Sequence, residues 1–131
     1  MKYSDEQRIE KILNYAIDLQ NYIEESHIDR DEIFTNKIVQ WTITTPLYNI
    51  GEHVYNLSNE FKESHPETPW SLIAGMRHRL VHDYDGTNWY IIVETIFKHL
   101  PILIDQLNKI TANSQNDSSD EKADTEQEAI D

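Results

Sequence analysis

Residues 47–61 read LYNIGEHVYNLSNEF, and apolar side chains recur in this stretch at steps of three and four. Because an α-helix has 3.6 residues per turn, that spacing places them on one helix face. Polar side chains occupy the other faces, which is typical of a helix with one side in a protein core. The residues on the apolar face are Leu47, Ile50, Val54, Leu57 and Phe61.

The same helical pattern extends to most of the chain. The apolar stripe of residues 47–61 continues back to Ile33. Similar apolar stripes occupy residues 9–23 and run from Trp89 to Ile110. A shorter third helix is predicted to begin at Pro69, with Leu72, Ile73, Met76 and Leu80 on its buried side. No alternation typical of β-strands is present. The sequence therefore predicts an all-α fold, an antiparallel four-helix bundle.

Capping residues and prolines predict where these helices begin and bend. Ser4, with Gln7 three residues later, forms a capping box for the first helix. Thr68 is the predicted N-cap of the third, with Pro69 at its first position. Pro46 predicts a kink or a short break near Thr45, and Pro101 predicts a bend in the last helix.

The charge distribution predicts one domain and a tail. The chain has 131 residues and a net charge of -13, of which residues 113–131 carry -6 and residues 1–112 carry -7. The last stretch has almost no apolar residues to bury, so we expect a helical domain over 1–112 and a disordered acidic tail over 113–131. The net field repels nucleic acid, so any contact with RNA must depend on a local basic patch.

Other compositional features exclude several classes of protein. The chain has no cysteine, which excludes a disulfide scaffold, a thiolate zinc site and a cysteine nucleophile. The charged N-terminus does not resemble a signal peptide, and no apolar run is long enough for a membrane span. We therefore expect a soluble, cytoplasmic protein.

Residues 75–86 read GMRHRLVHDYDG and gather positive side chains at the end of the third helix. No acidic residue occurs between Glu67 and Asp83, so this is the window in which an acidic protein can hold a phosphate. The guanidinium of Arg77 offers a planar donor fork to phosphate oxygens, and His82 can move a proton near neutral pH.

The spacing alone leaves two other interpretations open. Basic residues in a last helical turn can simply cap the free carbonyls. Alternatively, His78 and His82, at i and i+4, can ligate a metal with Asp83 and Asp85 nearby, although the flanking arginines oppose a cation. On a straight helix Arg77 and His82 point about 140° apart, so they converge only if the helix ends near Val81.

The string RHRLVHDY at 77–84 resembles the R-x4-H-x-Y motif of the HEPN superfamily, in particular the HepT-like toxins encoded with a minimal nucleotidyltransferase antitoxin. Three flanking strings resemble that family in order and spacing: IGE at 50–52, HPETPW at 65–70 and HLPILIDQL at 99–107. The resemblance covers residues 47–110.

The resemblance implies a homodimer in which two motif copies face each other across a cleft and act as a metal-independent endoribonuclease, without a cofactor. By position, Arg77 would bind the scissile phosphate and stabilise the charge of the transition state. His82 would be the general base toward the ribose 2′-hydroxyl or the general acid toward the leaving oxygen. His78, Arg79 and Glu52 are expected to support the site, with Glu52 orienting the motif.

The resemblance also implies regulation by a nucleotidyltransferase partner, with which the dimer would form a larger hetero-oligomer. Tyr84 matches the family tyrosine that the partner modifies with AMP. An added AMP would place charge and bulk beside Arg77 and His82 and block the groove where RNA lies. Gly51 would let two helices approach closely.

The sequence is also compatible with two competing hypotheses. The first is a non-catalytic subunit that binds a nucleotide or substrate for the nucleotidyltransferase, with phosphate held at Arg77 and no bond cleaved. The high negative charge favours this alternative. The second is a bundle that only pairs structurally, in which the motif residues are helix caps.

Overall fold

The computed structural model describes residues 2–82 and 86–113, with the backbone alone for Val81 and His82. The helices in chain order are α1 (Asp5–Glu25), α2 (Arg30–Thr35), α3 (Lys37–Tyr55), α4 (Asn59–Ser64), α5 (Trp70–His82), α6 (Trp89–Glu94), a π-helical segment (Thr95–His99) and α7 (100–113). The long elements are α1, α3, α5 and the continuous run of residues 89–113. They form an antiparallel four-helix bundle, so the predicted fold class is confirmed.

Side-chain caps set the start of α1 as predicted. The backbone N–H of Gln7 donates to Ser4 Oγ at 3.1 Å, and the backbone N–H of Ser4 donates to Gln7 Oε1 at 2.9 Å. These two bonds satisfy donors that have no partner within the first helical turn.

The predicted second helix, from Ile33 to Phe61, is divided into three. Asn36 Oδ1 accepts from two backbone N–H groups at the start of α3, and Ser58 Oγ accepts from the N–H of Phe61 at the start of α4. Both residues have extended backbones, which interrupts the helix while the apolar spacing continues. The apolar pattern therefore located the buried face correctly but not these two breaks.

The break considered near Thr45 does not occur, because α3 runs continuously through Pro46. An interior proline costs about 3 kcal/mol through its missing donor and its steric clash. Ile43 and Leu47, on either side, are 0% and 1% exposed. Burying two such side chains contributes about 3–6 kcal/mol, enough to keep the helix intact.

The start of α5 lies later than predicted. The helix begins at Trp70, and the carbonyl of Pro69 accepts the first helical bond, from the N–H of Ile73 at 3.2 Å. Thr68 is buried, and within the described part of the chain its hydroxyl has no hydrogen-bond partner, so it does not cap the helix. We expected Thr68 to be the N-cap, whereas the residue whose carbonyl accepts the first helical hydrogen bond is Pro69.

The π-helical segment directly precedes Pro101, where a bend was predicted. The N–H of Leu100 donates to the carbonyl of Thr95, a bond five residues long instead of four. Pro101 has no N–H for the carbonyl of Phe97, and its ring would crowd that carbonyl in a regular helix. A wider turn immediately before the proline relieves this conflict.

The core lies between the four long elements and is almost entirely aliphatic. α3 packs against α1 on one side and α5 on the other. Asp5 ties the start of α1 to the start of α4 because it accepts from the N–H and the hydroxyl of Ser58, at 2.9 and 2.7 Å. The least exposed core side chains are Ile12, Ile33, Ile43, Leu47, Ile92, Leu107 and Val54.

Residues 83–85 and residues 114–131 of the predicted acidic tail lie outside the described residues. The disorder of the tail therefore stays a prediction. Among the described residues, no helix is both long enough and apolar enough to cross a membrane.

Gly51 sets the distance between α3 and α5. A Cβ atom built on Gly51 would lie 3.0 Å from the backbone N of Arg77, 3.1 Å from Arg77 Cβ and 3.2 Å from the carbonyl O of Ile73. None of these atoms is the flexible end of a side chain, so any larger residue forces the two helices apart. The exposed Gly75 of α5 has nothing within 4 Å of such a Cβ.

We predict opposite effects for alanine at these two glycines. Gly75→Ala should raise the free energy of unfolding by about 0.5–1 kcal/mol, because alanine costs less backbone entropy in a helix. Gly51→Ala should lower it by about 1 kcal/mol or more, because the overpacking cost exceeds that gain. Urea unfolding of the two variants measures the difference. Equal stabilisation by both would show that α3 and α5 adjust freely at this contact.

Candidate functional site

Arg77 is held at the exposed edge between α3 and α5. Its Nη1 lies 3.5 Å from Glu52 Oε2, and its Cζ lies 3.8 Å from the centre of the Tyr55 ring. Its side chain is 30% exposed. The ring and the carboxylate fix the plane of the guanidinium, while most of its five N–H donors remain available to a ligand.

Two neighbouring residues of α3 account for this placement. Gly51 lets the backbone of α5 approach α3, so the base of the Arg77 side chain lies against the α3 backbone. Glu52 follows directly, and its carboxylate accepts from the guanidinium at 3.5 Å. The contact matches the orienting role expected for Glu52, and that role itself stays a prediction.

The other predicted residues of α5 lie elsewhere around the helix. His78 and Arg79 are exposed, and Arg79 lines a groove. α5 extends through His82, one residue beyond Val81, near which its end was expected. The convergence of Arg77 and His82 stays a prediction. The side chain of His82 and the whole of Tyr84 lie outside the described residues.

The groove beside Arg79 is apolar and encloses about 240 Å³ between α5 and residues 90–106. Large apolar side chains remain open to solvent along it: Leu72 is 50% exposed, Tyr90 64% and Ile102 52%. Arg79 and His99 are the basic residues of its lining. An exposed apolar strip of this kind is typical of an interaction surface.

A second polar cluster, which the sequence analysis missed, joins α1 to α3. Arg8 Nη1 donates to His53 Nδ1 at 3.1 Å, and the ring of His53 lies between those of Tyr3 and Tyr15, with centroids 5.9 and 6.2 Å away. Partial burial, then the charges of Arg8 and Lys11, lower the pKa of His53, and Glu52 opposes this. His53 is therefore neutral at neutral pH.

Comparison with known proteins places the chain in a family. A family model described as ribonuclease HepT-like matches residues 6–110. A protein of Caldanaerobacter subterraneus subsp. tengcongensis, named as a candidate RNase, is 44% identical over 62% of this chain and 68% of its own length. One from Methanocaldococcus jannaschii, also named as a candidate RNase, is 30% identical over 76% of this chain and 84% of its own.

A third relative carries the family name itself. The Probable ribonuclease HepT of Thermococcus cleftensis is 32% identical over 61% of this chain and 73% of its own length. No solved structure matches the chain.

The helical bundle and these matches define the chain as an enzyme of the ribonuclease class. It belongs to the ribonuclease HepT-like family, which confirms the resemblance seen in residues 47–110.

Proposed function

We propose that the protein is a metal-independent endoribonuclease and the toxin of a toxin–antitoxin pair. The observation that carries the proposal is the position of Arg77. A guanidinium is held by Glu52 and Tyr55 at an exposed edge, within a stretch of α5 that carries no carboxylate. This arrangement suits a phosphodiester in an otherwise acidic protein.

The chemistry assigned to the motif uses one charge and one proton carrier. Arg77 binds the scissile phosphate and stabilises the extra negative charge of the transition state. His82 removes the proton of the ribose 2′-hydroxyl or protonates the leaving 5′-oxygen. The 2′-oxygen attacks the phosphorus, the bond to the 5′-oxygen breaks, and the product ends in a 2′,3′-cyclic phosphate.

The apolar groove supports a site made by two chains, because Leu72, Tyr90 and Ile102 are largely exposed along it. A second copy packed on the exposed apolar groove would cover Leu72, Tyr90 and Ile102. It would also bring together the two stretches between Glu67 and Asp83, which carry basic but no acidic residues.

Cleavage should depend on both motif residues and on no metal ion. We expect the unmodified protein to cut RNA in excess EDTA and to leave 2′,3′-cyclic phosphate ends. Arg77→Ala should reduce the rate about 10²–10³-fold and His82→Ala about 10²–10⁴-fold. Arg77→Lys, which keeps the charge but loses the donor fork, should also be impaired, whereas Lys37→Ala removes a distant charge as a control.

The same assay separates the competing functions. RNA that is bound but never cut by unmodified protein would favour the non-catalytic binding subunit. Cutting that survives Arg77→Ala and His82→Ala in folded protein would overturn the assigned roles.

Tyr84 is the proposed target of the partner nucleotidyltransferase. After incubation with that enzyme and ATP, the protein should gain AMP by mass and lose RNA cleavage, because the added phosphodiester repels substrate from Arg77. Tyr84→Phe should stay active and unmodified. Tyr90→Phe, which alters a tyrosine outside the motif, should still be modified. Inactivation of Tyr84→Phe under the same conditions would place the modification elsewhere.

The proposed dimer has its own test. Leu72→Glu, in the groove, should yield a folded monomer that no longer cuts RNA, because a buried unpaired carboxylate opposes association. Ile38→Glu is the matched control, since Ile38 is 62% exposed on a separate surface at the start of α3. Light scattering measures the mass of each variant. Dissociation by Ile38→Glu instead would move the interface to α3.

A further inference from the structure

Two cations on α1, Arg8 and Lys11, form no ion pair with any carboxylate in the described part of the chain. Most other described lysines and arginines also have none, whereas Arg30, Arg77 and Lys109 each lie within 3.5 Å of a carboxylate. The positive charges of Arg8 and Lys11 therefore remain available to an anion, and their aromatic surroundings distinguish them from the other cations.

Aromatic rings hold these two cations at one place. Lys11 Nζ lies 4.5 Å and Arg8 Cζ 5.6 Å from the centre of the Tyr3 ring, which is itself 40% exposed. Arg8 also donates to His53. The cluster is therefore ordered before any ligand arrives, which lowers the entropy lost on binding.

The hydrogen bond from Arg8 determines which nitrogen of His53 carries its proton. A guanidinium only donates, so Nδ1 must be the acceptor, and a neutral ring then carries its proton on Nε2. Among the described residues, Nε2–H has no acceptor. It is available to donate to a phosphate or a hydroxyl.

The nearby carboxylates are engaged or face away. Asp5 accepts two hydrogen bonds from Ser58, and Glu52 pairs with Arg77. Glu6 and Glu10 are each two residues from Arg8, so they point about 160° away around α1. The exposed side of the cluster therefore favours an anion.

The cluster is continuous with the candidate active site. Its His53 directly follows Glu52 on α3, and Glu52 reaches Arg77. Tyr55, two residues further, lies under the guanidinium of Arg77 and is 55% exposed. Cations and aromatic rings thus run from α1 across the end of α3 to α5.

We infer that Tyr3, Arg8, Lys11 and His53 form a subsite for single-stranded RNA that flanks the phosphate bound at Arg77. The inference rests on the proposed ribonuclease function. Arg8, Lys11 and the Nε2–H of His53 bind backbone phosphates, and Tyr3 stacks on an unpaired base. Unpaired bases suit this surface because a stacked ring needs a free base face, which duplex RNA does not offer.

The test compares long and short RNA. We would measure binding by fluorescence anisotropy, and cleavage as KM and kcat, for a dinucleotide and for an unstructured RNA of about 10 nucleotides. Tyr3→Leu and Lys11→Ala should each weaken binding of the long RNA about fivefold or more, and should raise KM more than they lower kcat. Lys11→Ala should also reduce the slope of log affinity against log salt by about 0.7.

Matched variants separate binding from folding. Lys37→Ala removes the same charge from an exposed position on α3 and should keep the affinity and salt slope of the unmutated protein. Tyr3→Phe and Lys11→Arg should restore most of the binding, since they keep the ring and the charge. Urea unfolding checks that all variants are folded.

The outcomes distinguish the two proposals. Variants of Tyr3 and Lys11 that bind long RNA as tightly as Lys37→Ala does would overturn the subsite. Failure of the unmutated protein to bind any RNA would also overturn the subsite. If RNA binds with the predicted losses but is not cut under any condition, the subsite stands and the endoribonuclease proposal fails.

Discussion

The close approach of α3 and α5 at Gly51 is the constraint on which the rest of the molecule depends. With a hydrogen atom in place of a side chain, the backbone of Arg77 lies directly against α3. That contact brings Arg77 within reach of Glu52 and Tyr55, which are one and four residues beyond the glycine. A larger residue would move the guanidinium together with the helix. Packing and chemistry are therefore set by the same position.

The fold was largely predictable because it depends on periodic burial. The stripes of residues 9–23, 47–61 and 89–110 mark the buried faces of helices, and such spacing survives local irregularities. The breaks at Asn36 and Ser58 were missed because single side-chain caps decide them while the apolar pattern continues. Of the kink or short break predicted near Thr45, the break does not occur, because the burial of Ile43 and Leu47 outweighs the local cost of Pro46.

The candidate site was predictable only where it is local in sequence. Arg77 and His82 lie in one short motif, so the family resemblance could find them. Tyr55 and the Arg8–His53 pair belong to no motif, since Arg8 and His53 lie 45 residues apart and meet only when α1 packs on α3. Their contacts depend on tertiary distances that residue spacing does not encode.

The ion pair between Arg77 and Glu52 also bears on turnover. At 3.5 Å, with both side chains about one third exposed, it is worth about 0–1 kcal/mol. In the proposed reaction such a pair orients the guanidinium in the free protein, and an arriving phosphate would displace the carboxylate at little cost. After cleavage Glu52 would compete with the product for Arg77. An intramolecular anion of this kind would shorten the time for which a cleaved strand is retained.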